Sequence, residues 1–401
     1  MPPILVQALV HPPIGEQRIE IVERKGLGHP DSICDAVMEE VARAINAEYQ
    51  QRFGRILHNN IDKGLLVAGR VRRRLGGGRV LRPMELVIGD RATFRVGRVR
   101  VPIKEIAVEA AKEWFRKSLR HVDPDRHLRY RVVLSEGSDE LADIFRREGV
   151  REANDTSAAV GYAPLSETEQ MVLWVERYLN SPGFKAAFPE TGEDVKVMGV
   201  RADRELSLTI AMPLLCEAIT SEAAYFRKKA EITQALRQGL LPVSPGLNSV
   251  NVVVNPLDRE GRGMGGMYLS LLGTSAEDAD SGQVGRGNRV NGVIPLNRPV
   301  SGEAAAGKNP VSHIGKIYNV LSHRMADQIY RQVDGVREVY VWLVGQIGHP
   351  VDQPWVAVQL IQASDAECER IKQECTLVID QELNRLDNFC MELTEGKYPV
   401  C

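Results

Sequence analysis

Between Asp278 and Lys316 the chain concentrates the residue types that bind polyphosphate. Two acids, Asp278 and Asp280, are followed by SGQVGRGNRVNG and, after a spacer, by GEAAAGKNP and SHIGK. Glycines at 282, 285, 287 and 292 let the backbone approach a ligand closely and turn its N–H groups inward. Arg286, Arg289, Lys308 and Lys316 are interleaved with them, and arginine offers a planar fork that matches phosphate oxygens. The upstream acids suit a metal or a ligand ammonium. A plain surface loop would carry more Ser and Lys and fewer spaced Gly-Arg and Gly-Asn pairs.

Other chemistry-bearing groups are scattered along the chain. In KGLGHPDSICDAV, His29 and Asp31 stand on a Gly- and Pro-stiffened loop at the start of a helix, with Asp31 or Ser32 as its cap. A helix N-terminus favours anions, so this is a natural phosphate or metal–phosphate site; simple capping explains Asp31 equally well. His58, Asn59, Asn60, Asp62 and Lys63 crowd a polar turn before a strand at Leu65–Val71. Ser135, Glu136, Gly137, Ser138, Asp139 and Glu140 lie at a strand-to-helix junction, where backbone amides either receive a ligand or cap a helix. Asp155 sits in a small-residue turn. In GEDVKVMGVR the alternation of strand side chains places Asp194 and Lys196 on one face.

The elements that must hold these groups follow from periodicity. Strands are expected at 19–24, in MELVIGDRATF, and at 206–215, 248–255, 339–344 and 355–362. Helices are expected after Pro30 and at 103–119, 168–179, 222–238, 315–334 and 366–386, with RRRLGGGRV as a solvated hairpin loop. Strands and helices mix without strict βαβ alternation, so the fold class is α+β with mixed or antiparallel sheets. Three segments organise the motifs: 1–130, 131–247 and 248–401.

Composition narrows the function. The 401 residues exceed one simple core, and 43% apolar with 26% charged residues describes an ordinary globular enzyme. A net charge of -2 gives no general attraction to nucleic acid or anionic membranes. Six cysteines form no C-x-x-C pair and no zinc spacing, which suits a reducing cytoplasm. No signal-peptide pattern opens the chain, and no apolar run approaches the about 18 residues of a membrane span. Gly302–Asn309 nearly matches a P-loop, but Asn309 replaces the metal-binding hydroxyl and no clear strand precedes it. A P-loop-like Mg-dependent NTPase is therefore the alternative reading. No strong protein nucleophile appears, which points to chemistry by positioning and charge stabilisation between two bound substrates.

The stretches ERKGLGHPDSICDAV, HNNIDKGLLVAG, ANDTSAAVGYAPLS, GEDVKVMGVR, DSGQVGRGNRVNG and EAAAGKNPVSHIGKIYN resemble, in the same order, the archaeal-type S-adenosylmethionine synthetases. The resemblance implies that ATP, L-methionine and water give S-adenosylmethionine, phosphate and diphosphate. The methionine sulfur attacks C5′ of ATP, and the expelled triphosphate is then hydrolysed. It implies two Mg²⁺ ions, with K⁺ as a further cofactor whose site the sequence does not place. It implies three related interleaved domains per subunit and a homodimer, or a tetramer, with active sites at the interface. By the same resemblance His29 stands beside the bridging oxygen of the triphosphate and Asp31 is a Mg²⁺ ligand. Asp155 and Asp194 contact substrate and ribose, and Lys196 lies near the reacting phosphate oxygen. Asp280 meets the methionine ammonium, and Arg286 and Lys308 clamp the triphosphate. The Ser135–Glu140 loop reaches the substrates. HNNIDK, with His58 and Asn60 on the methionine side, serves the neighbouring subunit. The chain departs from the bacterial GHPDK and GKDPSKVD patterns at Ser32, at Gly287 and in GKNPVSHIGK. His313 or Lys316 is thus expected to replace the last phosphate lysine.

Overall fold

A computed structural model describes residues 4–138, 143–145, 151–240, 245–362 and 368–401. Its strands in chain order are β1 (Leu5–Ala8), β2 (Ile19–Lys25), β3 (Asn59–Val67), β4 (Arg70–Arg74), β5 (Gly77–Arg82), β6 (Met84–Ala92), β7 (Arg95–Val96), β8 (Val99–Arg100), β9 (Leu128–Val132), β10 (Ser157–Ala163), β11 (Lys196–Ala202), β12 (Glu205–Ala211), β13 (Leu214–Leu215), β14 (Ser249–Val254), β15 (Leu269–Ser270), β16 (Gly282–Gln283), β17 (Ile294–Pro295), β18 (Val336–Gly345) and β19 (Trp355–Gln362). The helices are α1 (Pro30–Phe53), α2 (Ile103–Ser118), α3 (Glu167–Leu179), α4 (Pro182–Ala187), α5 (Glu222–Leu240), α6 (Ile314–Gln332), α7 (Cys368–Asn384) and α8 (Leu386–Thr394).

Three larger sheets organise them, in the orders β16-β3-β6-β9, β14-β12-β11-β2-β17 and β1-β19-β18-β10. Parallel and antiparallel pairs occur in each, as expected for an α+β fold. Each sheet draws on distant parts of the chain: β2 pairs β11 in register Val22↔Gly199, β16 pairs β3, and β1 pairs β19. Helices pack on one face of each of these three sheets. Ile33, Val37, Val41 and Ile45 of α1 pack with Phe115 of α2 against Leu66 and Leu86. Val172 and Val175 of α3 and Leu236 of α5 pack against Val197 and Leu208. Ile317, Leu321 and Met325 of α6 and Ile379 of α7 pack against Val341 and Val358.

On the other face, the third sheet buries Val160, Tyr162 and Tyr340, while the first two sheets carry exposed side chains. Along β11, Val197, Gly199 and Arg201 are buried while Val200 is exposed, and its partner across β2 is Ile21. Val253, Leu65, Val344 and Trp355 are further exposed apolar residues on strands. Alternation of strand side chains puts Lys196 on the same side as Met198 and Val200, and Lys63 on the same side as Leu65.

The expected strand at 65–71 is displaced: β3 begins at Asn59, so most of HNNIDK is strand and not turn. Asn59 and Asp62 are buried with polar partners, and turn chemistry was the wrong reading of paired polar residues. The RRRLGGGRV stretch forms the β4–β5 ribbon. Helix α1 is capped by His29, not by Asp31 or Ser32. The closing helix ends at Asn384, and α8 follows as a separate helix. Asp194 precedes β11 and is buried, so it does not share the Lys196 face by strand alternation.

Candidate active site

The structure gathers the candidate residues in two sets. The first surrounds the N-terminus of α1. His29 is the N-cap, and its Nδ1 accepts from the Asp31 N–H at 3.2 Å. Burial lowers its pKa to about 4; the Asp31 charge opposes this, while Lys25 and Lys196 add to it. The ring is therefore neutral at physiological pH, and with Nδ1 accepting, the ring proton belongs on Nε2. Asp31 is buried, accepts from Lys25 Nζ at 2.9 Å, and accepts from the Gln283 N–H at 3.0 Å. Asp194 is buried and accepts from the Ser275 N–H at 2.7 Å and the Ser275 hydroxyl at 2.5 Å. Burial raises its carboxyl to about 6 against those bonds, with Asp280 adding to the rise. Lys196 is half-exposed and 3.1 Å from Glu23 Oε1. Asp280 and Arg286 are exposed, and the Arg286 carbonyl accepts from Lys25 Nζ at 2.6 Å.

The second set lies where β3, β6 and the 303–316 segment meet. Lys308 is buried, donates to Asp62 Oδ2, and lies 3.1 Å from Glu303. Burial alone would raise the Asp62 carboxyl, but Lys308 and bonds from Lys308 and Lys63 hold it far below the usual carboxylate range. Asn60 Nδ2 bridges Asp62 and Asp90 at 2.9 Å each. Burial and the neighbouring Asp62 push Asp90 up to about 6. Gly307 brings Lys308 here: it has φ 76°, and a Cβ would stand 2.5 Å from the Ile61 carbonyl oxygen. His58 is buried beneath Gly137, and neither ring nitrogen has a hydrogen-bond partner among the described residues. Ser135 joins the edge of this set through its N–H to the Asp90 carbonyl at 3.0 Å, and Glu136 and Ser138 beside it are exposed. Asp139 and Glu140 lie outside the described residues. Half-buried Asp155 follows Asn154, whose N–H donates to the Ser312 carbonyl.

His313 and Lys316 stand apart in character from Lys308. His313 caps α6 as His29 caps α1, with Nδ1 accepting from the Gly315 N–H at 3.2 Å. Burial, and then the Lys308 charge, lower its pKa to about 3. Lys316 is 1% exposed and donates to both Glu39 oxygens, at 2.6 and 2.7 Å, and to the Lys308 carbonyl at 3.0 Å. All three of its protons are used inside the chain, so the geometry argues for a structural ion pair at Lys316. Among the described residues, no hydrogen bond or ion pair joins a candidate side chain of the first set to one of the second.

Sequence reasoning passed over Lys25, Asp35, Ser275, Asp62 and Asp90 as working members of these sets. Asp35 carried a signal: it follows Asp31 by four residues and so lies on the same side of the helix. Ser275 and Asp90 carried none, because their partners come from other elements.

No group of three or more His, Cys, Asp or Glu side chains that could hold a metal occurs among the described residues. Asp31, a carboxylate beside a phosphate-type loop, fits the way Mg²⁺ binds: one or two carboxylates completed by substrate phosphates and water. The P-loop alternative loses its geometry. In a P-loop the helix starts at the lysine, whereas here the helix starts at Ile314 and Lys308 is turned into Asp62.

A family model described as S-adenosylmethionine synthetase (AdoMet synthetase) matches residues 3–397. The chain belongs to the S-adenosylmethionine synthetase family. It is 43% identical to an S-adenosylmethionine synthase of Pyrobaculum aerophilum, covering 98% of this chain and 99% of that one. It is 42% identical to an S-adenosylmethionine synthase of Pyrococcus furiosus, covering 99% of both chains. A solved S-adenosylmethionine synthetase from Campylobacter jejuni, 17% identical, shares the fold with a TM-score of 0.60 over 89% of this chain and 86% of that one. The synthetase is thus a methionine adenosyltransferase with ATP and methionine as substrates, and its family requires a divalent metal. No helix among the described residues is long and apolar enough to cross a membrane.

Proposed function

We propose that the synthetase works as a face-to-face homodimer in which the first set of one subunit and the second set of its partner enclose one ATP and one methionine. The observation that carries this is the placement of Lys196 and Lys63 on the same sheet faces as exposed Val200 and Leu65. Burying those apolar faces against a second copy would bring the two half-sites together and remove them from water.

In this reading the nucleophile is the methionine sulfur, which attacks C5′ of ATP and expels triphosphate. His29, neutral with its proton on Nε2, donates a hydrogen bond to the bridging oxygen that becomes the leaving atom and stabilises its charge. Burial and the nearby lysines keep the ring neutral. Lys196 stabilises charge on the reacting phosphate, and Arg286 and Lys308 clamp the triphosphate. Lys308 becomes available as its Asp62 and Glu303 partners share it with the incoming anion. Asp280 takes the methionine ammonium. His58, whose ring nitrogens have no partner among the described residues, borders the methionine side with Asn60. Asp155 and Asp194 hold ribose and substrate hydroxyls, Asp194 oriented by Ser275, and the 135–140 loop closes over the nucleotide. Mg²⁺, two ions with Asp31 as the protein ligand, would neutralise charge on the leaving triphosphate and its hydrolysis product. Scattered unpaired thiols suit a cytoplasmic enzyme.

The test is Asp31→Asn, assayed with ATP and Mg²⁺, with and without methionine. S-adenosylmethionine formation is expected to fall by about 100-fold or more while the folded state persists. A near-normal rate would sink the metal role. Phosphate release that is equal without methionine in the unaltered enzyme would sink the two-substrate mechanism.

A further inference from the structure

The glycine-rich loop is held from two sides. Asp35 is buried on α1, one turn after Asp31, and accepts from the Gly285 N–H at 2.8 Å and the Gly287 N–H at 3.1 Å, one on each carboxylate oxygen. Arg289 grips the same two residues by their other ends: its Nη2 donates to the Gly285 carbonyl at 3.3 Å and to the Gly287 carbonyl at 3.1 Å. Gly287 lies so close that a Cβ there would meet Asp35 Oδ2 at 2.1 Å. Just upstream, a Cβ on Gly282 would strike the Pro30 carbonyl, and the Gln283 N–H is held by Asp31. Downstream, Asn288 exchanges two backbone bonds with Lys25. Between the two gripped glycines the Arg286 side chain is left exposed.

We infer that Asp35 and Arg289 form a clamp that positions Arg286 for the triphosphate, tying its placement to the same helix that carries His29 and Asp31. The inference rests on the reading of Arg286 as a triphosphate ligand. Asp35 and Arg289 are positioning residues: they act through the loop and do not touch substrate. The physical basis is the pairing of opposite groups. A carboxylate only accepts and a guanidinium only donates, so the peptide N–H and C=O groups flanking Arg286 are sorted to opposite sides and the loop cannot flip. Asparagine at 35 keeps the shape but replaces one acceptor with a donor aimed at an N–H.

The experiment measures binding of inorganic tripolyphosphate with Mg²⁺ to the full-length enzyme by calorimetry. It compares Asp35→Asn and Gly287→Ala, each in the parent and in an Arg286→Ala background, and follows KM for ATP and for methionine. The expected result is a weakening of about tenfold or more for each variant in the parent, with KM for ATP raised similarly and KM for methionine changed less than about twofold. In the Arg286→Ala background both effects should shrink below about twofold. Equal losses on both backgrounds, or parent-like affinity in Asp35→Asn, overturn the clamp. Parent-like tripolyphosphate binding in Arg286→Ala alone overturns the underlying reading of Arg286 instead. If Asp35→Asn does not fold, Gly287→Ala, which retains the carboxylate but forces the loop away from it, decides by the same criteria.

Discussion

Three cations of the glycine-rich region illustrate how residue type underdetermines role. Arg286 is exposed, Lys308 is buried against Asp62 and Glu303, and Lys316 is buried with all its protons spoken for. A lysine that binds phosphate must give up its protein partners for the ligand. Lys308 has acidic neighbours at the edge of a site, one of them the half-exposed Glu303, whereas Lys316 faces Glu39 in the core. Glu39 is itself held by the Gly307 N–H at 2.9 Å, so the Lys316–Glu39 pair braces the turn that presents Lys308. Lys316→Met should therefore destabilise the fold by roughly 3–5 kcal/mol, because it strands a buried carboxylate. Replacing both partners, Lys316→Met with Glu39→Gln, should cost clearly less. Urea unfolding of the two variants checks this, and a single variant as stable as the parent would return Lys316 to the phosphate site.

At the scale of elements, the two helices that carry the sites start the same way. α1 and α6 each begin with a histidine whose Nδ1 accepts a backbone N–H two residues on. Such a cap works only while the ring is neutral, and burial with nearby cations keeps it neutral. The consequence for stability has a definite sign. The unfolded chain takes up a proton on His313 near pH 6.5, and the folded chain does so only near pH 3, so the unfolded state binds more protons in between. Stability from this residue is thus fully present above about 6.5 and is lost as pH falls toward 3. Between pH 7 and pH 5 the loss is about 2 kcal/mol. His313→Asn retains a capping side chain without the titration. Its unfolding free energy from urea titration should fall less than the parent's over that interval by this amount, and parallel pH profiles would refute the assignment.

The first two of the three larger sheets have helices packed on one side and exposed apolar residues, Leu65 and Val200, on the other. Lys196 and Lys63 lie on those faces, and among the described residues no hydrogen bond or ion pair joins the two sets of candidate side chains. Assembly is therefore expected to create the active site and not merely stabilise it. Val200→Glu, a charge in the middle of the open face of the second sheet, should shift sedimentation from dimer toward monomer. Methionine-dependent turnover should be lost in proportion, with far-ultraviolet circular dichroism unchanged. A monomeric parent with full activity would refute the shared-site reading.

Much of this protein was legible in the chain itself. The glycine, acid and cation spacing of 278–316 and the GHPD loop pointed to polyphosphate chemistry, and the resemblance of six ordered stretches pointed to the family. The apolar stripe Ile33, Val37, Val41, Ile45 and the alternation of 196–202 located elements that the structure contains. These are local signals, because a period of 3.6 or 2 and the conformational needs of glycine are properties of adjacent residues. What the tertiary structure decided were the partners. HNNIDK reads as a turn until Asn46, Asp90 and Lys308 arrive to satisfy its polar groups within a strand. Asp35 reads as one more helix acid until the loop at 285–287, some 250 residues away in sequence, lays two amides on it. Whether a buried charge is free for a substrate or committed to the fold depends on which distant segment packs beside it. No spacing along the chain encodes that choice, since its energy comes from desolvation and pairing in three dimensions.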